Sequence, residues 1–241
     1  MSESTDSAGQ PWAGRELHGT GFADDFGAGD PALLAALADP GDEVRLMAAL
    51  ADARLIVPVV AAPSEVDDSG ELAMEKSTDM AVVTLTAPDG QRALPVFSSL
   101  ETLQRWDPQA RPSPVTAAVA ARAAVAEQCD VMALDPSSPT AMVLRPSMVW
   151  ALAQQRAWVP AHTDPLVRQS VSRAAHEEPA VRRVECESDA SGGALRVALW
   201  LEAGLTSDQV QAVAQRVGER IATDGEVRAR IDALAFSIRS A

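Results

Sequence analysis

The chain has 241 residues, enough for one large domain or two modest ones, each able to bury a core without staples. Its formal charge is −14 with Lys76 as the single lysine, which argues against partners held by phosphate neutralisation, namely nucleic acid and anionic membrane surfaces. Cys129 and Cys186, far apart, supply neither a disulfide framework nor a metal set and suit a reducing compartment. No charged n-region precedes an apolar run, and apolar stretches break well before the ~18 residues of a spanning helix, so we expect a cytoplasmic protein.

Residues 1–29 are polar, glycine-rich and aperiodic, and read as a disordered leader interrupted by Trp12, Leu17 and Phe22. Asp30-Pro31 has the cap-then-proline chemistry of a helix start, with Leu33, Leu34 and Leu37 on one side. A second helix is expected over Glu43–Asp52, then a buried strand over Arg54–Ala61, in which Pro58 lacks a donor and suggests an edge or a bulge. Met80–Thr86 reads as one strand, Ala87-Pro88-Asp89-Gly90 as a hairpin turn, and Arg92–Phe97 as the return. Ser98 and Glu101 have capping-box spacing for a helix over 99–105. Ser113-Pro114 is expected to open the next helix, with Val115, Ala118, Val119, Arg122 and Ala126 at helical spacing.

Strands at Val131–Leu134 and Ala141–Leu144 flank the turn Asp135-Pro136-Ser137-Ser138-Pro139, and Arg145-Pro146 begins a helix carrying Met148, Val149 and Leu152. Residues 159–178 read as an irregular linker with one possible short helical turn. Beyond it come strands at 180–188 and 194–202 around Ser191-Gly192-Gly193, then a helix from Ser207 to Ile221. That helix has a Thr206/Gln209 capping box, a Leu205/Val210 staple and a stripe of Val210, Val213, Val217 and Ile221. The chain closes in a strand with Leu234, Phe236 and Ile238 on one face. The expected class is α/β (α+β), a mixed sheet flanked by helices over 30–158 followed by a small β-β-α-β domain over 179–241. A single body with one sheet through both halves is the alternative.

Chemistry is sparse. Ser137 and Ser138 would need a histidine base held by an acid, but His18, His162 and His176 lie in the leader and the linker. Neither cysteine has a second ligand nearby, and Glu185 and Glu187 oppose a reactive Cys186. No glycine motif fits a dinucleotide or a P-loop site, so no cofactor is expected. The pairs Asp24-Asp25, Asp67-Asp68 and Glu177-Glu178 read as solvated loop charge. Two places remain. Arg182, Arg196 and Trp200 form a candidate interaction face on the sheet side opposite the helix, for a protein partner or a second copy. Asp135 and Arg145 form a candidate ligand or enzyme site at the turn. The preferred reading is a non-enzymatic interaction or scaffold module.

The segments LMAALADARLIVPVV, MAVVTLTAPDGQRALPVFSSLETLQRW and CDVMALDPSSPTAMVLRPSMVWALAQ, in that order, resemble the SseB family as found in actinobacteria. The likeness covers about residues 35–155, and the second half resembles that family's C-terminal domain in layout more than in motif. The resemblance implies an α/β fold and carries no reaction, cofactor or catalytic residue onto these positions.

Overall fold

The structure is a computed structural model and describes residues 22, 25–61, 80–189 and 193–241. The first lobe opens with α1 (Pro31–Leu37), capped by the Asp30 carboxylate, and α2 (Glu43–Asp52), capped by Asp42. Then follow β1 (Arg54–Ala61), β2 (Met80–Val82), β3 (Leu85–Thr86), β4 (Arg92–Val96), α3 (Leu100–Trp106) and β5 (Arg111–Thr116). The lobe continues with α4 (Ala117–Ala126), β6 (Val131–Leu134), β7 (Met142–Leu144) and α5 (Pro146–Ala153). The second lobe holds α6 (Pro165–His176), β8 (Val181–Ser188), β9 (Ala194–Leu201), α7 (Ser207–Thr223), α8 (Gly225–Arg228) and β10 (Ala233–Ser240).

In the first lobe, β2-β1-β5 and β3-β4-β6-β7 are separate ladders. Ile56 and Phe97 exchange backbone hydrogen bonds of 2.8 and 2.9 Å, which stitch the two together. On one side Leu55, Val57, Leu94, Val96, Met132 and Leu134 pack with α1, α2, α4 and α5. On the other, Phe97 and Ile56 pack with Leu103 of α3, and Trp106 stacks at 5.3 Å from the Phe97 ring. This second side is thus covered at the seam of the two ladders, while Val143 on β7 is exposed.

In the second lobe the order is β10-β9-β8, with β9 parallel to β10 and antiparallel to β8. Leu195, Val197, Leu199 and Leu201 pack against Val167 and Val171 of α6 and against Val213, Val217 and Ile221 of α7. The mixed α/β class and the β-β-α-β order agree with the sequence reading, as do the Thr206/Gln209 box and the 87–90 hairpin. No ladder runs between the lobes among the described residues.

Several local expectations need correction. Pro58 is in β1, the middle strand of its ladder, opposite Pro112. Its carbonyl accepts from the Val83 amide at 3.2 Å, so beside β2 only the donor that proline lacks is lost. The edge prolines are Pro112 and Pro114. Ser113-Pro114 does not begin a helix but belongs to edge strand β5, and the helix starts at Ala117 under a Thr116 cap. The buried side of α4 is then Ala117, Ala118, Ala120, Ala121 and Ala124, while Val119 is exposed: close packing selected the small residues. The run 80–86 splits, β2 joining β1 and β3 joining β4, because the chain crosses there between ladders.

The cap of α3 is Ser99 with Thr102, one residue beyond the expected Ser98 with Glu101, because the Ser98 side chain has another partner. Residues 159–178, read as irregular, contain the three-turn helix α6, whose Val167, Val171, Ala174 and Ala175 are buried. Residues 25–29, read as part of the leader, are held: the Leu100 amide donates to the Gly27 carbonyl at 2.8 Å, and Arg54 binds Asp25 and the Ala28 carbonyl. Gly27 has φ +81°, and a Cβ there would sit 2.7 Å from the Leu100 Cβ. Trp12, Leu17, Asp24, Asp67 and Asp68 lie outside the described residues.

Candidate functional site

The side of the β8-β9-β10 sheet away from α6 and α7 is set by strand alternation. With Leu195, Val197 and Leu199 turned to the helices, Arg196, Ala198 and Trp200 point the other way. Register places Arg183 beside Trp200 on one flank and Arg239 beside it on the other. Both guanidiniums lie over the indole, at 4.5 and 4.7 Å from its ring centroid. Each arginine also has a carboxylate: Arg183 with Glu185, Arg239 with Glu187, and Arg196 with Asp189. The result is a locally balanced patch around a half-buried tryptophan, in a chain of charge −14.

Arg196 and Trp200 are where alternation placed them. Arg182 is displaced, because β8 slips register between Val181 and Arg183, leaving Arg182 as the unpaired residue of the irregularity, with its guanidinium on Glu202 at 2.7 Å. Arg183 takes the position over Trp200. Arg239, in a strand whose parallel pairing brings it alongside Trp200, could be found only by knowing that pairing.

The candidate ligand pair does not converge. Asp135 is 1% exposed, with φ +49°, and accepts from the Ser98 amide at 2.9 Å and the Ser98 hydroxyl at 2.6 Å. It ties the ends of the parallel strands β4 and β6 together. Arg145 instead lines a cleft of about 550 Å³ between the lobes, together with Glu43, Trp158, His162, Arg230 and Asp232. Asp135 is not among the residues of that cleft.

Three of the five Arg145 N–H donors are engaged by carboxylates. Its terminal nitrogens donate to the Glu43 carboxylate at 2.6 and 3.0 Å, and Nε donates to Asp232 at 2.9 Å. The hydrogen-bonded Glu43 raises its pKa further. Asp232, from the second lobe, also accepts from the Ser147 amide at 2.7 Å and the Ser147 hydroxyl at 2.9 Å. It therefore caps α5, whose own N-cap residue Arg145 offers no side-chain acceptor. Trp158 Nε1 donates to the same hydroxyl at 3.0 Å. Gly193, at φ +112°, admits the arginine: a Cβ there would come within 2.9 Å of the Arg145 Cδ.

Glu178, read as solvated, is 5% exposed and accepts from Arg216 at 2.6 and 3.0 Å and from Arg220 at 2.6 Å. The Arg216 hydrogen bonds, opposed by burial and aided by Arg220, lower its pKa from 4.5 to about 2. The signal that could have found it is the 3.6-residue geometry putting Arg216 and Arg220 on one face of α7.

Burial pushes the thiols of Cys129 and Cys186 up, away from the reactive thiolate. Ser138 Oγ bonds Thr140, and the His176 ring bonds Ser172, so neither forms a nucleophile–base pair with the other. Among the described residues there is no group of three or more His, Cys, Asp or Glu side chains placed to hold a metal, and no helix long and apolar enough to cross a membrane.

The sequence profile of the SseB protein N-terminal domain matches residues 31–151, which run from the first residue of α1 into α5. No curated protein and no solved structure matches the chain. The profile takes in half of the sequence and both ladders of the first lobe, and on that ground the chain belongs to the SseB family.

Proposed function

We propose that this protein is a cytoplasmic protein-interaction or scaffold module, not an enzyme, and that the Trp200 face of the second lobe is its contact surface. The observation that carries the reading is an indole held between Arg183 and Arg239 on a sheet side that neither α6 nor α7 covers. Tryptophan and arginine dominate binding energy where they are central and desolvated. Cation–π contacts and ion pairs pre-order these side chains, so less entropy is lost on docking. The complement is a protein surface with an apolar slot for the indole and carboxylates able to take over the guanidiniums. The rival, a ligand site at the Asp135 turn, has less support, since the buried Asp135 carboxylate is held by Ser98 while Arg145 lies apart from it, in the cleft with Glu43 and Asp232.

The test is to recover partners from lysate with the full chain, then measure affinity for Trp200→Ala, Arg196→Ala and Arg182→Ala. Trp200→Ala should weaken association by about 2 kcal/mol, and Arg182→Ala, at the rim, by well under 1. Folded variants that keep every partner at unchanged affinity would remove the face from consideration.

A further inference from the structure

We infer that the outer edge of β10 pairs, antiparallel, with β10 of a second copy of this chain. The inference concerns an edge and not the Trp200 face, and stands whether or not that face binds anything.

A sheet edge presents a row of unpaired backbone donors and acceptors, which proteins ordinarily blunt by shortness, proline, charge or a bulge. The other edges among the described residues are blunted. β5 carries Arg111, Pro112 and Pro114; β8 carries Arg182, Arg183, Glu185 and Glu187 and a register irregularity; β2, β3 and β7 have 3, 2 and 3 residues. β10 has 8 residues, ALAFSIRS, paired in unbroken register to β9, with no proline, no acid and one charge, Arg239, which is already held by Glu187.

The Ala241 amide donates to the Leu201 carbonyl at 3.0 Å. Alternation along the strand then turns the backbone groups of Ala233, Ala235, Ser237 and Arg239 toward β9, and those of Leu234, Phe236, Ile238 and Ser240 outward. The outward residues carry the apolar side chains. Leu234 and Phe236 pack against the second core yet stay half-buried, and Ile238 is 42% exposed. Apolar side chains left partly wet beside amides that no described residue pairs are what an added strand would cover.

A second copy fits this edge through two-fold symmetry. Pairing about Ser237 sets Phe236 opposite Ile238 and Ala235 opposite Arg239, so no like charges meet across the ladder. The occupant is also free of acid, which matters because two chains of −14 repel elsewhere. Screening by salt should therefore tighten the association.

Sedimentation of the full chain across sub-micromolar to high-micromolar concentration should show the 25.3 kDa species giving way to one of twice that mass. Ile238→Pro removes an outward donor, and Ile238→Lys adds a charge at the seam; both should stay at the single-chain mass with unchanged circular dichroism. If the proline variant fails to fold, the lysine variant decides. Amide exchange in the unaltered chain provides a readout free of mutation: exchange at Leu234, Phe236, Ile238 and Ser240 should slow as concentration rises. A chain that stays single at all concentrations, fast exchange at those amides in a dimer, or a dimer that survives Ile238→Lys would overturn the inference. So would a dimer lost on Trp200→Ala but kept on Ile238→Lys, which would put the contact on the face.

Discussion

The first lobe has helices on both sides of its strands, α1, α2, α4 and α5 on one and α3 at the Ile56–Phe97 seam on the other, whereas among the described residues the second lobe has helices on one side only. The same contrast appears in their buried carboxylates. Asp135 in the first lobe binds neutral donors of Ser98. Glu178 in the second lobe binds two guanidiniums that themselves reach solvent, their side chains 48% and 32% exposed. The first lobe also holds an arginine, Arg54 on Asp25, but Asp135 at the sheet ends meets only the amide and hydroxyl of Ser98. Arg216 and Arg220 stand on α7 in the helix layer, so their heads stay wet while they hold the buried acid.

The contrast is sharpest under mutation. Asp135→Ala would leave the Ser98 amide and hydroxyl unpaired at a site with no exposure, and should cost about 3 kcal/mol in denaturant unfolding. A loss below about 1 kcal/mol would mean that water reaches Ser98 and that the lobe is less closed than its packing indicates. Glu178→Gln should cost less, and its mark is pH dependence. The folded pKa, about 2, lies below the ordinary 4.5, so the pairing stabilises the fold at pH above that ordinary value and is lost as pH falls from about 4.5 toward 2. Melting temperature followed through that window should fall in the parent chain and fall less steeply in Glu178→Gln. Parallel curves would show that the two guanidiniums do not act on Glu178.

The smallest effect is expected at the join. Asp232→Ala removes the cap of α5 and one partner of Arg145, a loss of about 1 kcal/mol, with Glu43 still holding the guanidinium. Asp232→Asn should recover part of it, since its amide oxygen can still accept from the Ser147 amide. If Asp232→Ala instead splits thermal unfolding into two transitions, the network is what makes the unlike lobes melt together.

Much of the fold was legible because it rests on short-range chemistry. Asp30-Pro31, the 87–90 turn, the Thr206/Gln209 box and the alternation of Leu195 to Leu201 each act within a few residues. The errors lie where a distant partner overrides the local reading. Ser98 has the spacing of a cap, and the approach of Asp135, 37 residues away in sequence, takes it out of that role. Ser113-Pro114 has the chemistry of a helix start, and β1 alongside makes it an edge strand. Glu177-Glu178 looked like solvated charge because its cations lie 38 and 42 residues further on.

For the candidate site the same division holds. The sequence by itself determined that Arg196 and Trp200 share a side opposite the leucines, because side-chain direction in a strand has period two. It also determined the class of the fold. The tertiary structure decided that Arg183 and Arg239 flank the indole, that Arg182 is displaced, that Asp135 and Arg145 serve separate networks, and that Asp232 caps a helix in the other lobe. Register, strand order and the docking of one lobe on the other are set by the summed packing of distant surfaces. No window of neighbouring residues contains that sum.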